Sequence, residues 1–356
     1  MRDRDEARLK FLEDAGWSAA AAAPLAGDAS TRSYQRLRLK GKPAVLMVAP
    51  PGEEAPACPP DADEASRRAL GYNAMARLAG PNLNAFTTLS AALRATGLSA
   101  PEVYAADAAA GFALLEDLGD DLFARVVGKV DEETLYRAAI DALARLHESG
   151  AEPPRGAAYA MLDYDALALE AEAALLIEWY WPLKKGAPAS DDLTAEYLSL
   201  WREIFGGLSA PHVYVLRDYH AENLLWLPER GGVEKVGVID FQDALFGHAA
   251  YDLVSLLEDA RRDVDPALAE KMVAYYMSLG GSQFDAEGFR RDYAVLALQR
   301  NAKILGIFAR LAKRDNKPRY LDLLPRVEGH FRRDLARNEA APLRGFFAKH
   351  LPELAS

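Results

Sequence analysis

Thiol chemistry is nearly absent from this chain: Cys58 is the single cysteine in 356 residues. A disulfide framework is excluded, and so is a zinc site built on thiolates. Any metal must take carboxylate, amide or imidazole ligands. A basic excess is lacking too. Lys and Arg number 42 against 53 Asp and Glu, a formal net charge of −11. Nonspecific nucleic-acid binding needs a basic footprint and is not expected. No run of 18 or more apolar residues occurs, and the alanines from Ala19 to Ala23 meet Pro24 and Gly27 at once. The opening residues, Met1 to Lys10, mix charges of both signs and hold no apolar signal-peptide core. The expectation is a cytoplasmic protein without a membrane partner. Internal repeats are missing, and alanine bias is the only compositional skew.

What is present is apolar mass: half of the residues are hydrophobic. That argues against disorder and suffices for about two domains at roughly 150 residues each. Over the first hundred residues strands and turns are expected, with one or two helices. Tyr34, Leu37 and Leu39 alternate with polar neighbours, Lys40-Gly41-Lys42 signals a turn, and Pro43 to Ala49 reads as a short buried strand. Together they predict a β-hairpin. Pro50, Pro51, Pro56, Pro59 and Pro60 then predict an extended loop. Two more strands are expected at Pro101–Ala105 and Phe112–Glu116, followed by a polar, Gly-bearing boundary at Asp117–Asp121.

Beyond residue 120 the pattern turns helical. Leu135, Ala139, Ala142, Leu143 and Leu146 share one helix face, and Leu162 to Tyr180 reads as a helix stopped near Pro182. In the longest helical stretch Phe289, Tyr293, Leu296, Ile304, Ile307 and Leu311 form a stripe whose gap is filled by Arg300. The exception is a strand-loop-strand island from Val213 to Leu245. The chain thus divides into a strand-rich N-lobe, residues 1–118, and a mainly helical C-lobe, residues 119–356.

Chemistry concentrates in the island. Asp218 and Asn223 are five residues apart, and Asp240 lies 22 residues beyond Asp218 at the end of an apolar run. Transfer of a γ-phosphoryl group demands positioning and charge neutralisation more than covalent work. Mg²⁺ takes oxygen ligands from one or two side chains plus phosphates and water, which an Asn amide and an Asp carboxylate can supply. A second carboxylate, Asp218, can orient an acceptor hydroxyl and take its proton. An isolated Asp-x4-Asn is common by chance, and Ile-Asp-Phe often ends an ordinary edge strand. Their order, each after an apolar run, favours phosphotransfer.

Arg217-Asp218-Tyr-His-Ala-Glu-Asn223 with Ile239-Asp240-Phe-Gln-Asp243 resembles the aminoglycoside phosphotransferase/choline kinase family, of protein-kinase-like fold. The strings Gly27 to Tyr34, Asp240 to Gly247, Tyr251 to Leu257 and Gln299 to Arg310 are similar to the anomeric N-acetylmuramate/N-acetylglucosamine kinases of peptidoglycan recycling. Glu178-Trp-Tyr180 and Lys317 to Leu321 fit the same subgroup, and the likeness spans roughly residues 8 to 335. The resemblance implies an α+β, two-lobed fold with a small β-rich N-lobe that binds the nucleotide. The larger helical C-lobe would then carry the catalytic loop, metal site and acceptor pocket. It implies ATP and Mg²⁺ as cofactors and an amino sugar phosphorylated on its C1 hydroxyl, with no oligomeric state specified.

By the same resemblance Asp218 is the base, and Asn223 and Asp240 hold Mg²⁺. Gly27, Asp28, Ser30, Thr31 and Arg32 cover the nucleotide phosphates. Small and hydroxyl residues after a glycine also suit that task bottom-up, since they let backbone N–H groups approach phosphate oxygens; an ordinary β-turn is the alternative. The backbone around Glu116 to Leu118 would meet the adenine edge. Two departures stand out. The strand after the phosphate loop carries Met47 where kinases place a lysine, and Leu216-Arg217, with no histidine, precede Asp218. The missing lysine leaves a nucleotide-binding pseudokinase as a rival, and an aminoglycoside or amino-alcohol kinase is the rival within the class.

Other residues carry two readings each. Glu178, Trp179 and Tyr180 either line a sugar pocket or pack a helix end. His220 bonds substrate or, as favoured, the loop. Gln242 and Asp243 reach acceptor hydroxyls or cap the next segment, and Asp252 braces the catalytic loop. Arg300 on an apolar stripe must meet an acid. That acid is an internal carboxylate, the favoured reading, or the lactyl carboxylate of N-acetylmuramate.

Overall fold

The computed structural model describes residues 2–25, 32–50, 57–209 and 213–355. Helix α1 (Arg2–Asp14) leads into strands β1 (Ala21–Leu25), β2 (Ser33–Leu39) and β3 (Lys42–Val48). Helices α2 (Glu64–Leu70), α3 (Tyr72–Met75) and α4 (Leu83–Ala95) precede β4 (Val103–Asp107) and β5 (Phe112–Leu115). Next come α5 (Phe123–Val126), α6 (Glu132–Glu148), α7 (Ala166–Leu175), α8 (Trp181–Lys185) and α9 (Asp191–Phe205). Four three-residue strands follow: β6 (Val213–Val215), β7 (Leu224–Trp226), β8 (Val236–Val238) and β9 (Leu245–Gly247). The remainder is helical, with α10 (Ala250–Leu257), α11 (Pro266–Leu279), α12 (Ala286–Lys313), α13 (Leu324–Leu335) and α14 (Ala341–His350).

These elements pack as two units. One comprises residues 1–162 with 221–244, the other 163–220 with 245–356. The lobes expected from the sequence, 1–118 and 119–356, are a different partition, drawn at a boundary between functions.

The first unit is built on an antiparallel sheet ordered β1-β2-β3-β5-β4. Its central hairpin is the expected one: Leu39 pairs with Lys42 across a two-residue turn whose Lys40 and Gly41 both have positive φ. That is the turn geometry matching strand twist, and Gly41 enters it without steric cost. Phe11 and Leu12 of α1 close one face against Leu37, Ala44, Leu46, Phe112 and Leu114. The first hundred residues hold four helices among the described residues, more than the one or two expected. The reason is visible in α1: charged residues dominate it, and from residue 4 onward Phe11 and Leu12 are the buried ones. Such a short apolar contact leaves little periodicity to read.

The second unit packs around α12, which runs against α7, α10 and α13. Asp165 and Asp285 cap α7 and α12 by accepting from Ala168 N and Gly288 N. The helix expected to stop near Pro182 instead continues. After α7 the chain widens into a π-turn over Leu176–Tyr180 and tightens again in α8, where Pro182 is a first-turn residue. A first-turn proline gives up no required N–H, so it does not break the helix; left-handed Gly186 does. The island resolves into two separate pairs, β6 with β9 and β7 with β8.

Candidate active site

The loop after β6 is fixed by buried charge. Leu216 and Arg217 donate backbone N–H groups to the two oxygens of Asp252 at 2.6 and 2.8 Å, the bracing expected of that residue. Arg217 adopts a left-handed φ of 70°, a conformation that an arginine holds only when its surroundings over-determine it. Its guanidinium is clamped as well. It pairs with Glu172 and lies 5.3 Å from the centre of the Tyr164 ring. Glu172 is wholly buried and also accepts from Lys303 Nζ at 2.8 Å, Gln299 Nε2 at 3.1 Å and the Tyr164 hydroxyl. Burial alone would raise the Glu172 pKa, but Arg217 and Lys303 bring it down to about 2. The kinase loop's histidine position, two residues before the aspartate, is held by Leu216, and Arg217 beside it is anchored through both backbone and side chain.

Asp218 follows directly and is half-buried. Desolvation pushes its pKa up, yet the charges around it, Lys303 foremost with Arg300 and Arg217, hold it below the ordinary carboxylate value. It is therefore an anion at neutral pH, able to accept a hydrogen bond from a hydroxyl. His220 is buried, its Nε2 lies 3.2 Å from Arg261 Nη1, and burial with that cation lowers its pKa to about 4. The neutral ring meets Arg261 within the same unit.

In the other unit, Asn223 and Asp240 meet at the mouth of the β7–β8 pair. Ile239 N donates to the Asn223 carbonyl at 3.1 Å, and Asn223 Nδ2 lies 3.5 Å from Asp240 Oδ2. Asp240 is exposed, with φ of 61°, and its Oδ1 accepts from Gln242 Nε2 at 2.9 Å. An exposed carboxylate beside an amide is a hard, oxygen-based donor set that fits Mg²⁺. The amide presents nitrogen to the carboxylate, as hydrogen bonding selects; rotation about its last bond presents oxygen. Among the described residues no group of three or more His, Cys, Asp or Glu is placed for a metal, so a protein-only cage of the structural-zinc type is not built here. Asp243 accepts from Ala79 N at 2.7 Å, and Phe241 stacks on Phe86 at 4.9 Å. These contacts tie the segment after Asp240 to the front of α4.

Of the expected nucleotide contacts, Gly27, Asp28, Ser30 and Thr31 lie outside the described residues. Arg32 donates to the Gly80 carbonyl at 3.2 Å. Met47 is buried in β3 between Tyr34 and Ala113, and no lysine occupies that strand beyond its first residue, Lys42. Of the two arginines on the neighbouring strand β2, Arg38 is exposed and Arg36 is committed elsewhere, pairing with Asp117 and Asp120 at 2.7 Å each. Glu116 uses its side chain internally, accepting from Arg230 at 2.5 Å and from Glu102 N at 3.1 Å, while Leu118 is buried.

The trio in the π-turn divides. Tyr180 is buried and donates to Glu328 at 2.7 Å, the packing alternative of its two readings, whereas Glu178 is exposed and Trp179 half-buried. Arg300 is 3% exposed, and its hydrogen bond runs to the Glu258 carbonyl at 3.5 Å. The internal carboxylate ion pair favoured from the sequence is not formed among the described residues. The acids at the C-terminal end of α10 and on α13 point instead to Asn301, whose Nδ2 donates to Glu258 at 2.7 Å and Asp334 at 2.8 Å.

Residues 21–298 match the phosphotransferase enzyme family, more than three quarters of the chain. The chain belongs to that family. Among curated relatives of this phosphotransferase, the N-acetylmuramate/N-acetylglucosamine kinase of Caulobacter vibrioides is 42% identical over 357 residues, covering 98% of this chain and 97% of its own. Solved structures show the fold. A choline kinase from Streptococcus pneumoniae superposes with a TM-score of 0.59 at 13% identity, covering 92% of this chain and 99% of its own. A choline/ethanolamine kinase family protein from Mesorhizobium loti gives 0.55 at 16%, covering 98% of both. The phosphotransferase therefore has the kinase-like α+β fold expected, a small antiparallel sheet first and mainly helix afterwards. Sequence reading missed the role of Lys303, which sits in a string noted only for its likeness. Its one local signal is a lysine at three-residue spacing from Arg300 on an otherwise apolar helix face.

Proposed function

We propose that this phosphotransferase moves the γ-phosphoryl group of ATP to the anomeric hydroxyl of N-acetylmuramate and N-acetylglucosamine, as a cytoplasmic enzyme of cell-wall recycling. The observation that carries the reading is the 42% identity, over 98% of the chain, to a curated kinase named for those two sugars. The site supports it chemically. A hemiacetal hydroxyl is more acidic than an ordinary alcohol, so a carboxylate kept anionic, as Asp218 is, matches it as orienting group and proton acceptor. The sugar oxygen bonds to the γ-phosphorus, the bond to the bridging oxygen breaks, ADP leaves, and the proton passes to Asp218.

In this reading Asn223 and Asp240 hold Mg²⁺, which when bound neutralises phosphate charge. Residues 1–118 bind the nucleotide through Gly27, Asp28, Ser30, Thr31 and Arg32 and through the backbone at Glu116 to Leu118. Residues 119–356 supply the acceptor side with Glu178, Trp179, Tyr180, His220, Gln242 and Arg300, Tyr180 and His220 acting by packing.

The test is incubation with Mg·ATP and a panel of N-acetylmuramate, N-acetylglucosamine, kanamycin and choline, with products read by phosphorus and proton NMR. Phosphate on C1 of an N-acetyl sugar is the expected product. Phosphorylated kanamycin or choline would keep the Asp218 chemistry and overturn the acceptor. ATP binding without turnover on any of the four would favour the pseudokinase.

A further inference from the structure

Arg300 is a buried cation with no carboxylate within ion-pair distance among the described residues. Midway along α12 and 3% exposed, it makes one hydrogen bond, a long 3.5 Å contact from Nη1 to a backbone carbonyl. Its neighbours on the same unit are treated differently. Arg217 and Lys303 share Glu172, and Asp252 is committed to two backbone N–H groups. Asp218 lies within electrostatic reach of Arg300 but not within ion-pair distance among the described residues. The other charges around the neutral His220 ring are Arg261, 3.2 Å from it, and buried Asp259, whose Oδ1 accepts from Arg261 N at 2.8 Å; neither is within ion-pair distance of Arg300 among the described residues. A guanidinium does not shed its proton to relieve burial, so its desolvation cost persists until an anion arrives. Its planar fork suits a carboxylate, which it can bind with two parallel hydrogen bonds.

The two proposed acceptors differ in one charged group: N-acetylmuramate carries a lactyl carboxylate on the C3 oxygen where N-acetylglucosamine has a hydroxyl. We propose that Arg300 receives this lactyl carboxylate and thereby sets the preference of the enzyme between acidic and neutral amino sugars. The inference rests on the sugar-kinase reading above. It explains why an arginine with no carboxylate partner among the described residues occupies the apolar stripe of α12, close in charge to Asp218 rather than paired with the side chains of Glu258 or Asp334.

The test is steady-state kinetics of wild type, Arg300→Gln and Arg300→Lys with N-acetylmuramate, its lactyl methyl ester and N-acetylglucosamine. In the glutamine variant the loss of kcat/KM on N-acetylmuramate should exceed that on N-acetylglucosamine by roughly 10- to 100-fold, mainly in KM. Lysine should restore part of that difference. Wild type should prefer the acid to its ester, and the glutamine variant should not. Equal losses on the two sugars would mean that Arg300 supports the loop or Asp218, and would overturn the carboxylate role. So would a wild-type enzyme indifferent between acid and ester, a comparison that needs no folded variant. Wild type inactive on both sugars would overturn the sugar-kinase reading itself, and this inference with it.

Discussion

Two cations share one buried carboxylate at Glu172, and both act electrostatically on Asp218. Replacing Glu172 by Gln leaves Arg217 and Lys303 buried without their counter-charge, which typically costs about 3–5 kcal/mol. Urea unfolding monitored by circular dichroism should show that loss; a cost under about 1 kcal/mol would mean that the pair contributes little net stability. The same residue predicts a pH effect. Its folded pKa of about 2 lies below the ordinary 4.5, so its contribution is complete above pH 4.5 and disappears as pH falls through that interval. Wild type should therefore lose stability faster than Glu172→Gln over this window. Asp218 carries a prediction of a different kind: Asp218→Asn should fold and bind ATP yet lose about 10²- to 10⁴-fold in kcat. Unchanged turnover would remove Asp218 as the base.

At the scale of elements, the close approach of α12 to α7 depends on one glycine. A Cβ added at Gly306 would meet the Leu175 carbonyl carbon at 2.2 Å, backbone that has no room to move. Gly306→Ala should gain the usual helix propensity of about 1 kcal/mol and lose more than that through forced separation of the helices. A net destabilisation of about 1–3 kcal/mol in thermal or denaturant melts is expected, whereas a stabilised variant would show that the packing yields easily. The helix boundaries also show where sequence patterns stop informing. The hairpin β2–β3 was legible because its turn residues and alternation are local. The π-turn over Leu176–Tyr180 was not: residues of ordinary helix propensity widen there, with α12 packed alongside.

For the molecule as a whole, ligand binding and stability are linked. If Asn223 and Asp240 hold Mg²⁺, then Mg·ATP at about 100 times its Kd should stabilise the protein by about 2.7 kcal/mol, read as a rise in Tm. EDTA should remove most of that rise. In Asp240→Ala the Mg²⁺-dependent part should vanish while the apo Tm stays near wild type, because the Asp240 side chain is exposed. A variant with the wild-type Mg²⁺ titration would exclude Asp240 as a ligand.

The sequence by itself determined the reaction class and the fold class, because their marks are local: Asp218, Asn223 and Asp240 stand in order at the ends of short apolar runs. Tertiary structure alone decided which charges meet. Glu172 reaches Arg217 across 45 residues and Gln299 across 127. Arg300, read as an internal ion pair, proves to have no carboxylate beside it among the described residues. Periodicity says that a face is buried; it does not say which side chain of a distant helix lies opposite. For a buried charge that opposite residue is the whole difference between a structural bridge and a site held open for an anion.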